Sequence, residues 1–236
     1  MRISIIIPTL NEATGISHAI ERAFATQPHE VIVVDGGSED ATASIAKNCG
    51  CCVVEGERGR ATQQNHGAQD ATGDVLLFLH ADNWLVPDGL PQITQALGNS
   101  RILGGAFRHR IQASGLVYRV IEQGNTLRAR VLRMAYGDQG IFVRRDAFWR
   151  IGGFPNVSLM EDVLFMRKLR RLSSLPILPG PLYVSARRWE KHGPVRQTIR
   201  NWGLTLAESV GVQPDKLARY YPLHRHNSNH TNGGGN

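Results

Sequence analysis

Four apolar runs in the first eighty residues, each ending in polar residues, constrain the fold of this chain more than any other feature. The runs are ISIIIP (3–8), EVIVVD (30–35), CCVVEG (51–56) and DVLLFLH (74–80). Continuous apolar runs of this length are typical of strands that are buried on both faces. Segments with helical spacing separate them, at 13–27, 41–48 and 61–71. Alternating strands and helices predict an α/β fold with a parallel, doubly wound sheet.

The second half of the chain mixes strands and helices in a looser order. We predict strands at 104–111 and 181–190, long helices at 114–135, 160–172 and 195–212, and a turn, strand and short helix over 136–154. From about His224 the chain reads HRHNSNHTNGGGN and lacks apolar residues. A segment that cannot bury apolar surface is predicted to be disordered.

The charge of the chain indicates the chemistry of its partners. The 236 residues include 27 Lys and Arg against 20 Asp and Glu, and the formal net charge is +7. This balance favours anionic partners such as nucleotides and phosphorylated substrates. We predict no nucleic-acid binding, because no recognised module interleaves aromatic and basic residues. The amino-terminal apolar stretch is cut by Pro8, is too short to span a membrane and lacks a signal-peptide cleavage site, which predicts a cytoplasmic protein.

Polar residues gather directly after each of the four predicted strands. They occupy positions 8–12, 35–40, 58–60 and 80–83. Parallel sheets bind ligands where the carboxyl ends of their strands meet. The sequence therefore predicts one ligand site built from these four loops.

The stretch VVDGGSED places Asp35 beside two glycines at the end of the second strand. Its carboxylate could accept hydrogen bonds from a nucleotide base or from ribose, with the glycines allowing a close approach of the backbone. The alternative is a capping turn, in which Ser38 or Asp40 caps the helix that begins near Ala41. The two interpretations are compatible, since Ser38 can cap while Asp35 faces a ligand.

The stretch LFLHADNW places Asp82 just beyond a strand that is apolar enough to be buried. An ionised carboxylate in that position needs a cation or several hydrogen-bond donors. Magnesium and manganese prefer such oxygen ligands and bridge readily to phosphates. We predict that Asp82 binds a metal ion, with His80 as a second ligand or as a packed side chain. An aspartate that only caps the next turn is the alternative.

Paired acids open the predicted helix at 160–172. The helix macrodipole favours Glu161 and Asp162 in the first turn without any catalytic role. The functional alternative is that Asp162 is a general base that takes a proton from an attacking acceptor.

Two further motifs present polar groups on turns or strand ends. GDQG places Asp138 and Gln139 between glycines, and SARRWE places Arg188 beside Trp189. A guanidinium binds oxyanions and an indole stacks on a sugar face, which suits a phosphate or sugar acceptor. Alternatively, the tryptophan belongs to the core and the arginines face solvent.

Taken together, these motifs resemble the family 2 glycosyltransferases of GT-A fold. SIIIPTLNE, VVDGGSED, GRATQQNHGAQDATGDVLLFLHAD and MED follow the order and spacing of that family over roughly residues 1–165. More narrowly, GRATQQNHGA, FLHAD, YGDQGIFVRR, LMED and SARRWE resemble a small bacterial subgroup named radical-SAM/selenodomain-associated or arsenosugar-biosynthesis glycosyltransferases.

The resemblance implies a Rossmann-like, mostly parallel sheet with flanking helices and a mixed carboxy-terminal acceptor region. Residues 1–100 would form the nucleotide-sugar-binding half, 101–222 the acceptor-binding and catalytic half, and 223–236 a disordered tail. It further implies a metal-dependent, inverting enzyme of hexosyltransferase type, which uses Mn²⁺ or Mg²⁺. The sugar would pass from a nucleotide-diphosphate donor, most commonly a uridine nucleotide, to a small or lipid-linked acceptor. A nucleotidyltransferase and a non-catalytic sugar-nucleotide-binding protein are the alternatives.

The resemblance also implies a role for individual residues by motif position. The donor would contact Pro8, Thr9, Asn11, Glu12, Asp35, Gly37, Arg60, Asn65, Ala81 and Asp82. Asp82 and His80 would hold the metal, and Asp162, next to Glu161, would be the catalytic base. The acceptor would contact Tyr136, Gly137, Asp138, Gln139, Arg188 and Trp189.

Three positions depart from the family pattern. His80 stands in place of the first acid of a D-x-D motif, and Gly36 replaces a second acid after Asp35. The Q-x-x-R-W motif of polymerising relatives lacks its glutamine at 185–189, and no transmembrane pattern follows it. We therefore predict a single-addition enzyme rather than a polysaccharide synthase.

Two contacts stay open from the sequence. The helix predicted at 114–135 carries Arg119, Arg128, Arg130 and Arg133, which either face acidic lipid in a peripheral membrane contact or are solvated. A homodimer also stays open.

Overall fold

The computed structural model describes residues 1–132, 135–209, 212 and 216–217. Arg133 and the predicted disordered tail at 223–236 lie outside these residues. The strands are β1 Ile3–Thr9, β2 Glu30–Asp35, β3 Cys52–Glu55, β4 Val75–Phe78, β5 Asn83–Leu85, β6 Gly104–Gln112, β7 Ile141–Arg144 and β8 Ile177–Ser185. The helices are α1 Ile16–Ala25, α2 Thr42–Asn48, α3 Arg60–Asp70, α4 Gly89–Leu97, α5 Leu116–Leu132, α6 Arg145–Arg150, α7 Glu161–Leu169, α8 Arg187–His192 and α9 Pro194–Ser209, with a 3₁₀ turn at Gly137–Gln139.

The strands form one sheet in the order β3-β2-β1-β4-β7-β6-β8-β5. The pairs β3 with β2, β2 with β1, and β1 with β4 are parallel, as the apolar runs predicted. Thr9 lies opposite Asp35, and Asp35 lies opposite Glu55, so these strands end at one edge. The α/β fold is confirmed, and the polar loops of the first half share this edge.

The continuous apolar character of β1 has a simple cause, because both faces of the sheet are covered. Ile5 and Ile7 belong to the core cluster on one face, whereas Ile6 belongs to the cluster on the other. Alternate side chains of a strand point to opposite faces, so a strand buried on both sides needs apolar residues throughout. A Cβ on Gly67 would lie 2.6 Å from Cγ2 of Ile6, so only glycine lets α3 pack this closely on β1.

The second half of the sheet is mixed, so the doubly wound parallel arrangement describes only the first half. β7 runs antiparallel to β4, β6 is antiparallel to β7, β8 is parallel to β6, and β5 is antiparallel to β8. The strand predicted at 181–190 is partly wrong. β8 begins at Ile177 and ends at Ser185, and α8 follows at once, so Trp189 lies on a helix.

β5 and α4 were not predicted from the sequence. β5 has three residues, which are too few to show a period, and its partner β8 lies about a hundred residues further along the chain. Pro91 stands in the first turn of α4, where the missing N–H has no intrahelical partner to lose. The proline is therefore compatible with a helix that the sequence alone did not indicate.

Candidate active site

A cavity opens at the carboxyl edge of the sheet, where the loops after β1 and β4 meet the start of α3. Its lining includes six of the predicted donor contacts: Pro8, Thr9, Glu12, Arg60, Ala81 and Asp82. The volume of this first cavity is about 240 Å³, slightly below the range of small-molecule pockets, which measure roughly 300–1000 Å³. Two smaller cavities adjoin it, and His80 lines all three.

The second cavity lies on the side of α7, and the third lies between β4 and α8. Arg60, Tyr136, Asp138, Asp162 and Asn201 are among the residues that line the second cavity, which measures about 110 Å³. The third measures about 30 Å³, and its lining includes Asp82, Asp138, Trp189 and Asn201. The shared lining residues make the three cavities parts of one site.

Asp35 lies beneath this site rather than on the lining of the cavities. Its carboxylate accepts hydrogen bonds from the N–H of Gly37 at 3.1 Å, from the N–H of Ser38 at 2.8 Å and from Oγ of Ser38 at 2.5 Å. Thr9 Oγ1 lies 3.4 Å from Asp35 Oδ1 and joins the turn to the end of β1. Asp35 and Ser38 thus shape the turn after β2, and the role of Asp35 toward a base stays a prediction.

The loops after β1 and β2 are tied together by Asn11 and its partners. Asn11 Oδ1 accepts the N–H of Glu39 at 2.9 Å, and the N–H of Asn11 donates to Oγ of Ser38 at 2.9 Å. Gly37 has a φ of +83°, the left-handed region that favours glycine. Asn11 and Gly37 therefore shape the loops after β1 and β2, neither lines the first cavity, and their contact with a donor stays a prediction.

Asp82 is anchored through its backbone to the end of β8, since the N–H of Ser185 donates to its carbonyl at 3.1 Å. Arg187, two residues further, donates from Nη2 to Glu12 Oε2 at 2.9 Å. This hydrogen bond, together with the charges of Glu12 and Asp82, raises the pKa of Arg187. The first turn of α8 therefore brings a cation to the loop after β1, close to Asp82.

The residues at the predicted metal position provide a small donor set. Among the residues that the structure describes, no group of three or more His, Cys, Asp or Glu side chains is arranged to hold a metal ion. Asp82 and His80 offer one carboxylate and one imidazole on the lining of the same cavities. Magnesium in phosphate-transfer sites is commonly held by one or two carboxylates together with substrate phosphates. The set fits a divalent ion whose remaining ligands come from a bound diphosphate.

Asp162 stands in the first turn of α7 and faces the second cavity. Its Oδ2 accepts the N–H of Gly137, and its Oδ1 accepts the N–H of Val163 at 2.7 Å. Desolvation raises the pKa of Asp162 to about 6, the negative charge of Glu161 adds to this rise, and the hydrogen bonds and the charge of Arg60 oppose it. A carboxylate with a pKa near the working pH is suited to proton transfer.

The two adjacent acids have different surroundings. Glu161 is buried, and its Oε1 lies 3.3 Å from Nη1 of Arg60, on the lining of the first cavity. Met160, just before them, has a φ of +67°, an uncommon conformation for a residue other than glycine. Such strain persists where the surrounding structure imposes it, and it is frequent at functional sites. The turn at Met160 directs Glu161 toward Arg60 and Asp162 toward the second cavity.

The 3₁₀ turn forms the wall opposite Asp162. A Cβ on Gly137 would lie 3.1 Å from both Asp162 Oδ2 and His80 Nε2, so glycine permits the close approach of these groups. Tyr136 and Asp138 line the second cavity. Gln139 is fully buried, with its amide bound to the N–H of Tyr136 at 3.1 Å and to the carbonyl of Phe107 at 3.2 Å. Gln139 therefore shapes the turn instead of lining the site.

Asn65 is not brought to this site. Its side chain donates to the carbonyl of Phe154 at 2.8 Å and accepts the N–H of Phe154 at 2.9 Å. It lines a separate groove with Trp149 and His66. Both ends of the Asn65 amide hold the loop after α6, and a contact of Asn65 with a donor stays a prediction.

Trp189 lies beside the site, and its surroundings combine the two alternatives, a core residue and a contact for the acceptor. Its ring packs in a cluster with Ile111, Ile121 and Val184, while the residue also lines the third cavity. The side chain of Arg188 lies outside the described residues.

Three residues that line or support the second cavity were not predicted from the sequence to belong to the site. Arg128 was predicted to face solvent or lipid, yet its guanidinium lies 3.3 Å from the centre of the Tyr136 ring, and burial lowers its pKa to about 10. Asn201 and Leu204 of α9 line the cavity. A sequence pattern shows only that these residues belong to amphipathic helices, so their place in the site could not be found from it.

The fold is that of GT-A glycosyltransferases. A mannosyltransferase, PcManGT, from Pyrobaculum calidifontis, solved with GDP-Man and Mn²⁺, superposes with a TM-score of 0.63 at 17% identity, over 93% of this chain and 78% of that one. Glucosyl-3-phosphoglycerate synthase from Mycobacterium tuberculosis, solved with Mn²⁺, UDP and glucosyl-3-phosphoglycerate, gives a TM-score of 0.59 at 20% identity, over 90% and 81% of the two chains. The predicted GT-A fold is confirmed.

Residues 4–152 match the family model described as glycosyl transferase family 2, and the chain belongs to this family. It is 28% identical over 156 residues to an undecaprenyl-phosphate 4-deoxy-4-formamido-L-arabinose transferase of Serratia proteamaculans. The aligned residues make up 61% of this chain and 48% of that relative. It is also 25% identical over 173 residues to glycosyltransferase AglE of Haloferax volcanii, and this alignment includes 65% of this chain and 56% of AglE. The chain spans about half the length of these curated relatives.

Proposed function

We propose that this protein is a metal-dependent, inverting glycosyltransferase that moves a sugar from a nucleotide-diphosphate donor to a small or lipid-linked acceptor. One observation carries the proposal: Asp82 and Asp162 line adjoining cavities of the same site. Asp82 lies at the carboxyl edge of the sheet, and Asp162 lies at the start of α7. His80 lines each of the three adjoining cavities between them. Family membership supports the reaction class, and the GDP-Man, UDP-GlcNAc and UDP named for structural neighbours support the donor class.

The first cavity provides the groups that a sugar nucleotide needs. Arg58 and Arg60 line it and offer positive charge to a diphosphate. Asp82 and His80 would hold a divalent cation, Mn²⁺ or Mg²⁺. When bound, the cation supplies neutralisation of the negative charge that develops on the leaving diphosphate. We infer a UDP-sugar as the donor, in keeping with the uridine nucleotides of two of these neighbours.

The second cavity provides the base. Asp162 accepts the proton of the acceptor hydroxyl while the acceptor oxygen forms a bond to the anomeric carbon. The bond from that carbon to the diphosphate breaks on the opposite face, which inverts the configuration. Hydrogen bonds from the N–H groups of Gly137 and Val163 hold the carboxylate in place. We also propose that the chain belongs to the radical-SAM/selenodomain-associated or arsenosugar-biosynthesis subgroup. The motifs that it shares with that subgroup support this membership.

A nucleotide panel tests the donor class. The melting temperature would be measured with UDP, GDP, CDP and dTDP, each with and without Mn²⁺. Saturation to about 100 times Kd stabilises a native state by about 2.7 kcal/mol, which is roughly 5 to 10 °C for a domain of this size. We expect a shift of this size for UDP with Mn²⁺ and smaller shifts for the others. No shift with any of the nucleotides would contradict the proposal.

The pH dependence of turnover tests the role of Asp162. A general base must be deprotonated, so kcat/KM, which reports the pKa of the free enzyme, is expected to rise between pH 5 and 7 with a midpoint at about 6. The negative charge of Glu161 contributes to the raised pKa. Glu161→Gln should therefore move the midpoint to lower pH. Glu21→Gln, an exposed change on α1, is the matched control and should leave the midpoint in place. A flat profile would contradict the assignment.

A further inference from the structure

An apolar stripe runs along the outer face of α5. Leu116, Val120, Leu127 and Val131 are 84%, 70%, 64% and 70% exposed. They are separated by four, seven and four residues, which places them on one side of a helix. The opposite side of α5 carries the buried Asn125 and Ala129. The stripe is therefore the unpartnered face of an amphipathic helix.

A second stripe on α9 continues the first. Val195, Ile199 and Trp202 are exposed and follow each other at spacings of four and three residues. Trp202 Nε1 donates to Asn125 Oδ1 at 3.0 Å, and a Cβ on Gly124 would lie 3.4 Å from the indole ring. The indole therefore lies across α5 and joins the two stripes, which together form the α5/α9 face.

The charges around this face are almost all positive. α5 contains three arginines and one glutamate, and α9 contains two arginines and one glutamate. Arg130 and Arg196 are exposed, whereas the guanidinium of Arg128 packs on Tyr136 and does not belong to this face. Glu122, the glutamate of α5, is held by the N–H of Ile111 at 2.7 Å and by Arg119 at 2.9 Å. Arg110 and Arg119 line an open groove beside Leu116. Arginine is thus the charged group that this part of the surface presents.

We propose that the α5/α9 face docks the protein on an anionic membrane surface. Helices with one apolar face, flanking arginines and a tryptophan lie in the plane of the membrane interface and bind anionic lipids. Arg130 and Arg196 are exposed at the sides of the stripes and would meet lipid phosphates. A second copy of this chain fits less well, because a two-fold contact pairs a face with itself and would bring arginines against arginines.

The position of α9 connects this face to the candidate site. Its inner side carries Asn201 and Leu204, which line the second cavity. None of the described helices is long and apolar enough to cross a bilayer. Docking would hold the second cavity one helix diameter, roughly 10 Å, from the lipid headgroups, which favours a lipid-linked acceptor. That last step rests on the proposed function, whereas the docking itself does not.

Vesicle sedimentation of the full chain tests the docking. The probes are vesicles of phosphatidylcholine alone and vesicles that contain about one third phosphatidylglycerol. We expect binding to be at least about tenfold stronger to the anionic vesicles and to weaken in high salt. Leu127→Glu/Ile199→Glu is expected to lower it at least about tenfold. The control Phe24→Glu/Leu172→Glu changes two exposed apolar residues elsewhere and should bind as the unaltered protein does.

Three outcomes would overturn the proposal. They are equal binding by Leu127→Glu/Ile199→Glu, absence of binding to anionic vesicles, and a dimer in sedimentation velocity that this double change dissociates. The nucleotide-induced thermal shift is measured on the same samples. If vesicles bind and nucleotides do not, the docking stands and the proposed function fails. If nucleotides bind and vesicles do not, the proposed function stands and the docking fails.

Discussion

Replacing Asp162 with Asn is expected to lower kcat by about 10²- to 10⁴-fold, the usual contribution of a general base, and to leave nucleotide binding intact. Asparagine cannot accept the acceptor proton. Residue 162 lines the second cavity and not the first, where the donor is expected, so the change should not affect nucleotide binding. Single-turnover transfer from the nucleotide sugar and the thermal shift with UDP and Mn²⁺ measure the two effects separately.

Asp146→Asn is the matched control for this change. Asp146 stands in the first turn of α6, and its Oδ1 accepts the N–H of Ala147 at 2.7 Å, the same local bond that Asp162 makes to Val163. It is exposed and does not line the described cavities of the site. We expect unchanged kcat for Asp146→Asn. Equal turnover by Asp162→Asn and the unaltered protein would show that another group takes the proton.

Asp82→Ala is expected to abolish the metal-dependent part of nucleotide binding. The thermal shift with UDP and Mn²⁺, roughly 5 to 10 °C in the unaltered protein, should fall to about 1 °C or less. The loss follows from the donor set, in which Asp82 is the carboxylate beside His80. Removing it should also lower kcat/KM by at least about 10³-fold, because charge neutralisation by a metal is worth several kcal/mol.

Asp88→Ala is the control for the second change. Asp88 is an exposed aspartate just before α4, and its carboxylate accepts a hydrogen bond from Gln92 at 3.1 Å. The metal-dependent shift should persist in this variant. If Asp82→Ala keeps the full shift with UDP and Mn²⁺, the metal does not bind at Asp82 and the proposed donor geometry is wrong. If the unaltered protein binds UDP but transfers no sugar, a non-catalytic sugar-nucleotide-binding protein is the better description.

The strands of the first half could be predicted because their signal is local. A run such as ISIIIP needs two covered faces, and the segments between the runs have the period of helices, which together indicate a parallel sheet. The loops after parallel strands lie at one edge, so Glu12, Arg60 and Asp82 could be expected to meet. The structure places these three residues on one cavity.

The contacts of individual side chains within those loops could not be predicted in the same way, because a motif position does not show where a side chain points. Asp35 and Asn65 illustrate this. Asp35 holds its own turn, and Asn65 holds the backbone of Phe154. Polar residues that satisfy backbone groups and polar residues that contact a ligand have the same composition. Only the hydrogen-bond partners separate them.

By itself, the sequence determined the α/β class, the four parallel strands and the edge at which the site lies, because apolar periodicity and turn residues act over a few neighbours. The tertiary structure alone decided the partners across long separations. The bond from Arg187 to Glu12 depends on how β8 ends beside Asp82. The packing of Arg128 on Tyr136 and the approach of α9 to the second cavity depend on helix packing. Such contacts arise from burial and shape complementarity among distant segments, which no local pattern encodes.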